Sequence, residues 1–123
     1  MLVACGYSQI PGVDFSENYS PFIHDITFRI LLLVMMVLFL SAKIVDVEPA
    51  FLYGDLEEEI LMDRPPGMFD AKPDESLLLG HCIYGLVQAA RQYHKKMMEI
   101  LQGIGFVGGI IYPCIFVRKH WKV

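Results

Sequence analysis

An α+β layer of mixed helices and short antiparallel strands is the fold class this sequence predicts, and three observations predict it. The run "ILLLVMMVLFLSA", Ile30 to Ala42, carries no charge between Arg29 and Lys43. It is shorter than the roughly 20 residues a spanning helix needs, so it reads as a helix buried in a core. Further on, Leu86, Ala90, Tyr93, Met97, Ile100 and Leu101 recur at helical spacing. Between and after these helices lie short apolar runs bounded by turn residues, the pattern of strands. The chain has 123 residues, 54% of them hydrophobic, enough for one small domain with a single core.

The elements follow in order. Residues 6 to 21, "GYSQIPGVDFSENYSP", concentrate Gly, Pro, Ser and Asn and read as loop. Asp25 or Thr27 caps the first helix, which ends before Ile44. The next stretch, "KIVDVEP", reads as a strand in which alternation sends Ile44, Asp46 and Glu48 to one face and Val45, Val47 and Pro49 to the other. Gly54-Asp55 offers a turn, and "MDRPPGMFDAKPDE" is a proline-rich loop that continues neither ladder nor helix. Leu77 to Leu79 form a short strand. Tyr84-Gly85 opens the clearest helix, stopped by Gly103 or Gly105, with Gln88, Arg91, Gln92, Lys95 and Lys96 on its polar side. The last apolar run, "CIFVRK", reads as a strand whose hairpin partner would follow it. Neither an internal repeat nor a low-complexity tract is evident.

Composition narrows the function. The formal charge is -4 and the isoelectric point about 5.4, with a mean hydropathy of +0.44. That charge is opposite to the usual footprint of a nucleic-acid binder. Cys5, Cys82 and Cys114 are odd in number and far apart, which suggests free thiols in a reducing compartment. The start, "MLVACGYSQIPG", has no basic region ahead of an apolar run, so no secretory signal is expected and the sequon-like Asn18-Tyr19-Ser20 reads as chance. His24, His81, His94 and His120 are scattered, and no phosphate loop or paired CxxC occurs. The acids Asp55, Glu57, Glu58 and Glu59 read as a solvated rim. Asp46 stands apart: a carboxylate on a strand among apolar residues either holds a hard divalent cation or is satisfied by a neighbouring hydrogen bond, and spacing leaves both open.

Around Asp46 the words become specific. "VDVEPAFLYGDLEEEILM" resembles MDVKTAFLNGDLEEEIYM of the copia-type LTR retrotransposon reverse transcriptases. In the same order, "LVACGYSQIPGVDFSENYSP" is similar to LVARGYSQxxGxDFxETYSP, "IYGLVQAARQYHKKM" to LYGLKQAPRQWxKK, and "GFVGGIIYPCIFV" to GFxxSxxDPCVYV. The match covers nearly the whole chain in several long words.

The resemblance implies an incomplete fingers and palm portion, spanning residues 1–123, of a right-hand RNA-directed DNA polymerase from a Pol polyprotein. Asp46 matches the family's catalytic palm carboxylate and would bind the two Mg²⁺ ions that activate a primer 3′-hydroxyl, with the Val47 carbonyl as a further metal ligand. Phe51 would lie under the sugar of an incoming dNTP and disfavour a ribose; without the resemblance it reads as a core aromatic. Tyr84 and Gly85 match the turn lining the nucleotide pocket. Arg91 and Lys95 would contact nucleic acid, although a solvated helix face explains Arg91 equally well. The implied partners are an RNA or DNA template-primer and the rest of the polyprotein, with no membrane. The implied location is intracellular, in the cytoplasm or a virus-like particle.

The departures matter too. The family's second carboxylate pair, a YVDD word on a hairpin, is absent from these residues, and one Asp cannot assemble a two-ion site. The chain as given is therefore expected not to polymerise. Cys5, Gly80, His81 and Val87 stand where the family has basic residues, which weakens phosphate contacts. Ala90 replaces a Pro, Tyr112 an Asp, and Pro49 removes an N–H from the strand carrying Asp46. Two other readings are a weak RNA- or protein-binding remnant using Arg91, Lys95 and Lys96, and a small membrane-associated protein using residues 30–42.

Overall fold

The structure is a computed structural model that describes residues 2–67 and 75–118. It is α+β, as expected: among the described residues there are two α-helices and two antiparallel pairs of short strands. Part of the proline-rich loop and His120 lie outside the described residues. The chain divides into two units, Met1–Ser20 with Pro49–Met97, and Pro21–Glu48 with Met98–Val123.

The first unit contains the core. The strand β1 (Leu61–Met62) pairs antiparallel with β2 (Leu77–Leu78), in the register Leu61 to Leu78 and Met62 to Leu77. β2 lies where the sequence places it, and β1 is an addition hidden at the end of the acidic run. The pairing continues irregularly through a single bridge from Asp55 to His81 and a hydrogen bond from the Cys82 N–H to the Gly54 carbonyl at 3.0 Å. Ile60, Cys82, Leu86 and Ala89 form the buried cluster, with Ala4, Phe51, Leu56, Leu79 and Ile83 packed against it.

The helix α2 (Ala89–Gly103) closes this unit with its residues up to Met97. It begins later than Tyr84-Gly85, because Gly85 has φ +94°, which a helix cannot use. It ends as expected, with Gly103 last and Gly105 at φ +90°. Gln88, just ahead of the helix, and Gln92, both on the polar side, are buried, while Tyr93 of the apolar side packs on Phe51, so both sides contribute to the interior of the unit. The helix approaches so closely that a Cβ at Gly54 would stand 3.0 Å from Gln92 Cβ.

In the second unit α1 (Asp25–Val37) starts one residue after His24, and Asp25 pairs with Arg29 one turn on at 2.7 Å rather than capping the helix. Burial of this helix was expected; instead none of its residues is buried. The strand β3 (Val107–Gly108) pairs antiparallel with β4 (Phe116–Val117), so the partner of the last strand precedes it. The strand expected at Asp46 does not form: residues 40 to 47 have no regular structure. A strand exists only by pairing, and among the described residues the strands pair β1 with β2 and β3 with β4.

Candidate functional site

The most closely built feature of the first unit is the turn at Tyr84 to Gln88. The N-terminal segment lies directly on it, and the Ala4 N–H donates to the Tyr84 carbonyl at 2.7 Å. Two glycines permit the approach. A Cβ on Gly6 would clash with the Gly85 carbonyl oxygen, and one on Gly85 would clash with the Ala4 carbonyl oxygen.

A chain of amides then fastens the two segments. The Gln9 carbonyl Oε1 accepts from the Val87 N–H at 2.8 Å, Gln9 Nε2 donates to Gln88 Oε1 at 3.1 Å, and Gln88 Nε2 donates to the Asp14 carbonyl at 3.3 Å. Gln88 is fully buried, so each of these bonds offsets a desolvation cost that water cannot relieve. Sequence reasoning missed Gln9 and Gln88 as a pair. Their only signal was that each closes a long word, "GYSQ" and "YGLVQ".

Beside the turn, Phe51 sits on a short 3₁₀ helix (Ala50–Tyr53). Its ring meets Tyr84 edge-on with centroids 4.8 Å apart, and Tyr93 of α2 at 6.1 Å. Phe51 and Tyr84, far apart in sequence, are thus neighbours. A cavity of about 370 Å³ opens along the N-terminal segment, with Val3, Cys5, Gln9, Met62, Arg64 and Leu86 in its wall and without Phe51, Tyr84 or Gly85.

The basic residues of α2 are all engaged by acids. Arg91 pairs with Glu17, Lys95 Nζ with Glu57 at 2.6 Å, and Lys96 Nζ with Asp55 at 2.8 Å. The Lys96 hydrogen bond, and then its charge, hold Asp55 below the usual carboxylate range. Hydrogen bonds from Lys95 and Gln92 do the same for Glu57. The acidic rim is therefore the counter-charge of the helix. Glu58, half-buried, accepts from Ser16 through both its N–H and its hydroxyl. The Cys82 thiol is pushed up to about 11 by burial first, and then by the charges of Glu58 and Asp55.

Asp46 and Val47 belong to the second unit, Asp46 exposed and Val47 half-buried. Among the described residues no group of three or more His, Cys, Asp or Glu side chains could hold a metal ion. The described residues do not fit a pair of Mg²⁺ ions, each of which needs several oxygen ligands.

The geometry thus joins an aromatic pair to a glycine turn, and among the described residues no acidic cluster able to hold a metal ion stands beside it. The family model for reverse transcriptase (RNA-dependent DNA polymerase) matches residues 1–122, and the chain belongs to that family. Within it the chain is similar to copia-type Pol polyproteins of plant transposons. It is 40% identical over 122 residues to the retrovirus-related Pol polyprotein from transposon RE2 of Arabidopsis thaliana, covering 98% of this chain and 8% of that protein. The RE1 polyprotein of the same plant is 37% identical over the same shares. The polyprotein from transposon TNT 1-94 of Nicotiana tabacum is 34% identical over 120 residues, 96% of this chain and 9% of its own length. The chain thus spans less than a tenth of each of these relatives. No solved structure matches it significantly.

Proposed function

We propose that the chain supplies fingers and palm elements to an RNA-directed DNA polymerase domain, and that these 123 residues do not polymerise by themselves. The observation that carries this reading is the juxtaposition of Phe51 and Tyr84, with Gly85 in a left-handed turn beside them. These are the residues that the family resemblance assigns to the incoming dNTP. Their packing depends on the glycine approach and the buried amide chain, both built from words the family shares.

In the intact domain Asp46 and Val47 would face Mg²⁺, and Arg91 and Lys95 the template-primer. Here one carboxylate stands where such a site needs a cluster, so no transfer step runs through this chain alone. The domain would act as part of a larger Pol polyprotein. The remnant-binder reading is less well supported, because Arg91, Lys95 and Lys96 are each neutralised by an acid. No helix among the described residues is long and apolar enough to cross a membrane.

The test is a graft. Residues 1–122 replace the aligned stretch of the RE2 polyprotein, and synthesis of DNA on an RNA template is measured with Mg²⁺ present. The chimera is expected to synthesise DNA and its Asp46→Asn version to lose that activity, while the 123-residue chain alone yields none. Undiminished synthesis by the Asp46→Asn chimera would overturn the assignment of Asp46. Synthesis by the isolated chain would overturn the division of labour.

A further inference from the structure

The amide chain on the turn has a direction. At one end the Val87 N–H can only donate, and at the other the Asp14 carbonyl can only accept. Between them Gln9 Oε1 accepts from the Val87 N–H, Gln9 Nε2 donates to Gln88 Oε1, and Gln88 Nε2 donates to the Asp14 carbonyl. Turning either amide over would set donor against donor and acceptor against acceptor, so both side chains hold one orientation. Gln88 is fully buried and Gln9 half-buried, which leaves water little part in relieving a mismatch.

Gln9 is itself held. Its N–H donates to the Gly6 carbonyl at 3.1 Å, at the end of a short 3₁₀ helix (Gly6–Ser8). Ser8 donates to the Cys5 carbonyl through both its N–H and its hydroxyl. On the other side of Gln9 the Ile10 N–H donates to Asp14 Oδ2 at 2.6 Å, and the Val13 and Asp14 N–H groups donate to the Ile10 carbonyl. Residues 5 to 14 are thus a braced loop, and Gln9 reaches from its middle to the turn.

The turn in its grip carries Tyr84. The N-terminal segment holds it at Tyr84 through the Ala4 N–H, a backbone bond that most side chains at residue 4 would permit. At Val87 and Gln88 it holds through the Gln9 amide, which other side chains replace poorly. Asn is one methylene shorter, Glu sets an acceptor against Gln88 Oε1, and Met or Leu offers neither bond. The Tyr84 ring, so placed, meets Phe51 edge-on.

We infer that Gln9 is a positioning residue for the incoming nucleotide: through Val87 and Gln88 it sets where the turn places Tyr84 against Phe51. It acts through the turn and touches no substrate. The inference rests on the proposed reading of Phe51, Tyr84 and Gly85 as facing the dNTP, and adds to it a residue from outside the pocket. A displaced wall weakens nucleotide binding and leaves the reacting groups where they were, so the signature lies in KM rather than in kcat.

The test uses the chimera in which residues 1–122 replace the aligned stretch of the RE2 polyprotein. Gln9→Met is expected to raise the KM for dNTP by about tenfold, with kcat changed by less than about twofold. Gln9→Glu, which keeps the Val87 bond, is expected to raise it by about threefold. Ile60→Val thins the buried cluster, makes none of these bonds, and is expected to lower stability with KM unmoved. In the full 123-residue chain, hydrogen exchange at the Val87 amide is expected to speed up more in Gln9→Met than in Ile60→Val. If Gln9→Met does not fold, Gln9→Glu carries the test by the same split between KM and kcat.

A Gln9→Met chimera with the parental KM overturns the assignment of Gln9 and leaves the proposed function standing, as does a kcat that falls with stability at constant KM. An equal rise of KM in Ile60→Val overturns it too, because any loss of stability would then suffice. A parental chimera that makes no DNA overturns the reading of the pocket, and this inference with it.

Discussion

Four glycine-to-alanine substitutions separate the two physical demands made on Gly85. Gly85 has φ +94° and no room for a Cβ, which would clash with the Ala4 carbonyl oxygen and stand 2.9 Å from Val3 Cγ1. Gly12 has φ +80° but nothing within 4 Å, Gly6 has the clash without the positive φ, and Gly80 has neither. A non-glycine residue forced to positive φ costs about 1 kcal/mol or more. Moving the N-terminal segment off the turn loses the Ala4 to Tyr84 hydrogen bond, worth about 1 kcal/mol, and weakens the Phe51–Tyr84 contact by a similar amount. Gly85→Ala is therefore expected to destabilise by about 3 kcal/mol, Gly12→Ala by about 1, and Gly6→Ala by about 2, with Gly80→Ala within about 0.5. With a urea slope of roughly 1–2 kcal/mol/M for a chain of this size, Gly85→Ala lowers the midpoint by about 2 M. The assay is urea unfolding by circular dichroism. A Gly85→Ala midpoint no lower than that of Gly12→Ala would refute the close packing of the N-terminal segment on the turn.

Three further outcomes follow from the same geometry. Gln88→Ala strips partners from Gln9 Nε2 and the Asp14 carbonyl in a buried site and is expected to cost about 2–3 kcal/mol, while Gln102→Ala on the exposed end of α2 costs almost nothing; urea midpoints compare them. With a thiol reagent at pH 8, mass spectrometry should find exposed Cys5 modified first and Cys82, fully buried with its thiol pushed up to about 11, only after unfolding; modification of native Cys82 at the rate of Cys5 would contradict the core. Asp55 and Glu57 are depressed in the folded chain, so their pairing with Lys96 and Lys95 contributes above the ordinary carboxylate range and is lost as pH falls through the lower folded values. Thermal melts of a Lys95→Met, Lys96→Met variant should thus lose less on acidification than the parent; an equal loss would place the acid sensitivity elsewhere.

The amino-acid sequence by itself determined that a helix starts near Asp25, though it ends at Val37, short of the boundary expected before Ile44, and it determined the glycine stop of α2, the strand at Leu77 and the loop before Pro21, because each rests on local chemistry: periodicity, a left-handed glycine, a run of turn formers. It also carried the family, in words long enough to read without coordinates. What it could not carry was direction. Periodicity shows that a helix has two sides, not which one meets the core. Gln88, just before α2, and Gln92 on its polar side are buried because Gln9 bonds the first and Glu57 the second, while Lys95 and Lys96 of the same side stay partly exposed in pairs with Glu57 and Asp55, all from segments remote in sequence. Likewise α1 has the composition of a core helix and stays exposed, and the residues around Asp46 have the alternation of a strand without a partner. Burial and pairing need a second surface, and only tertiary structure decides whether one is there.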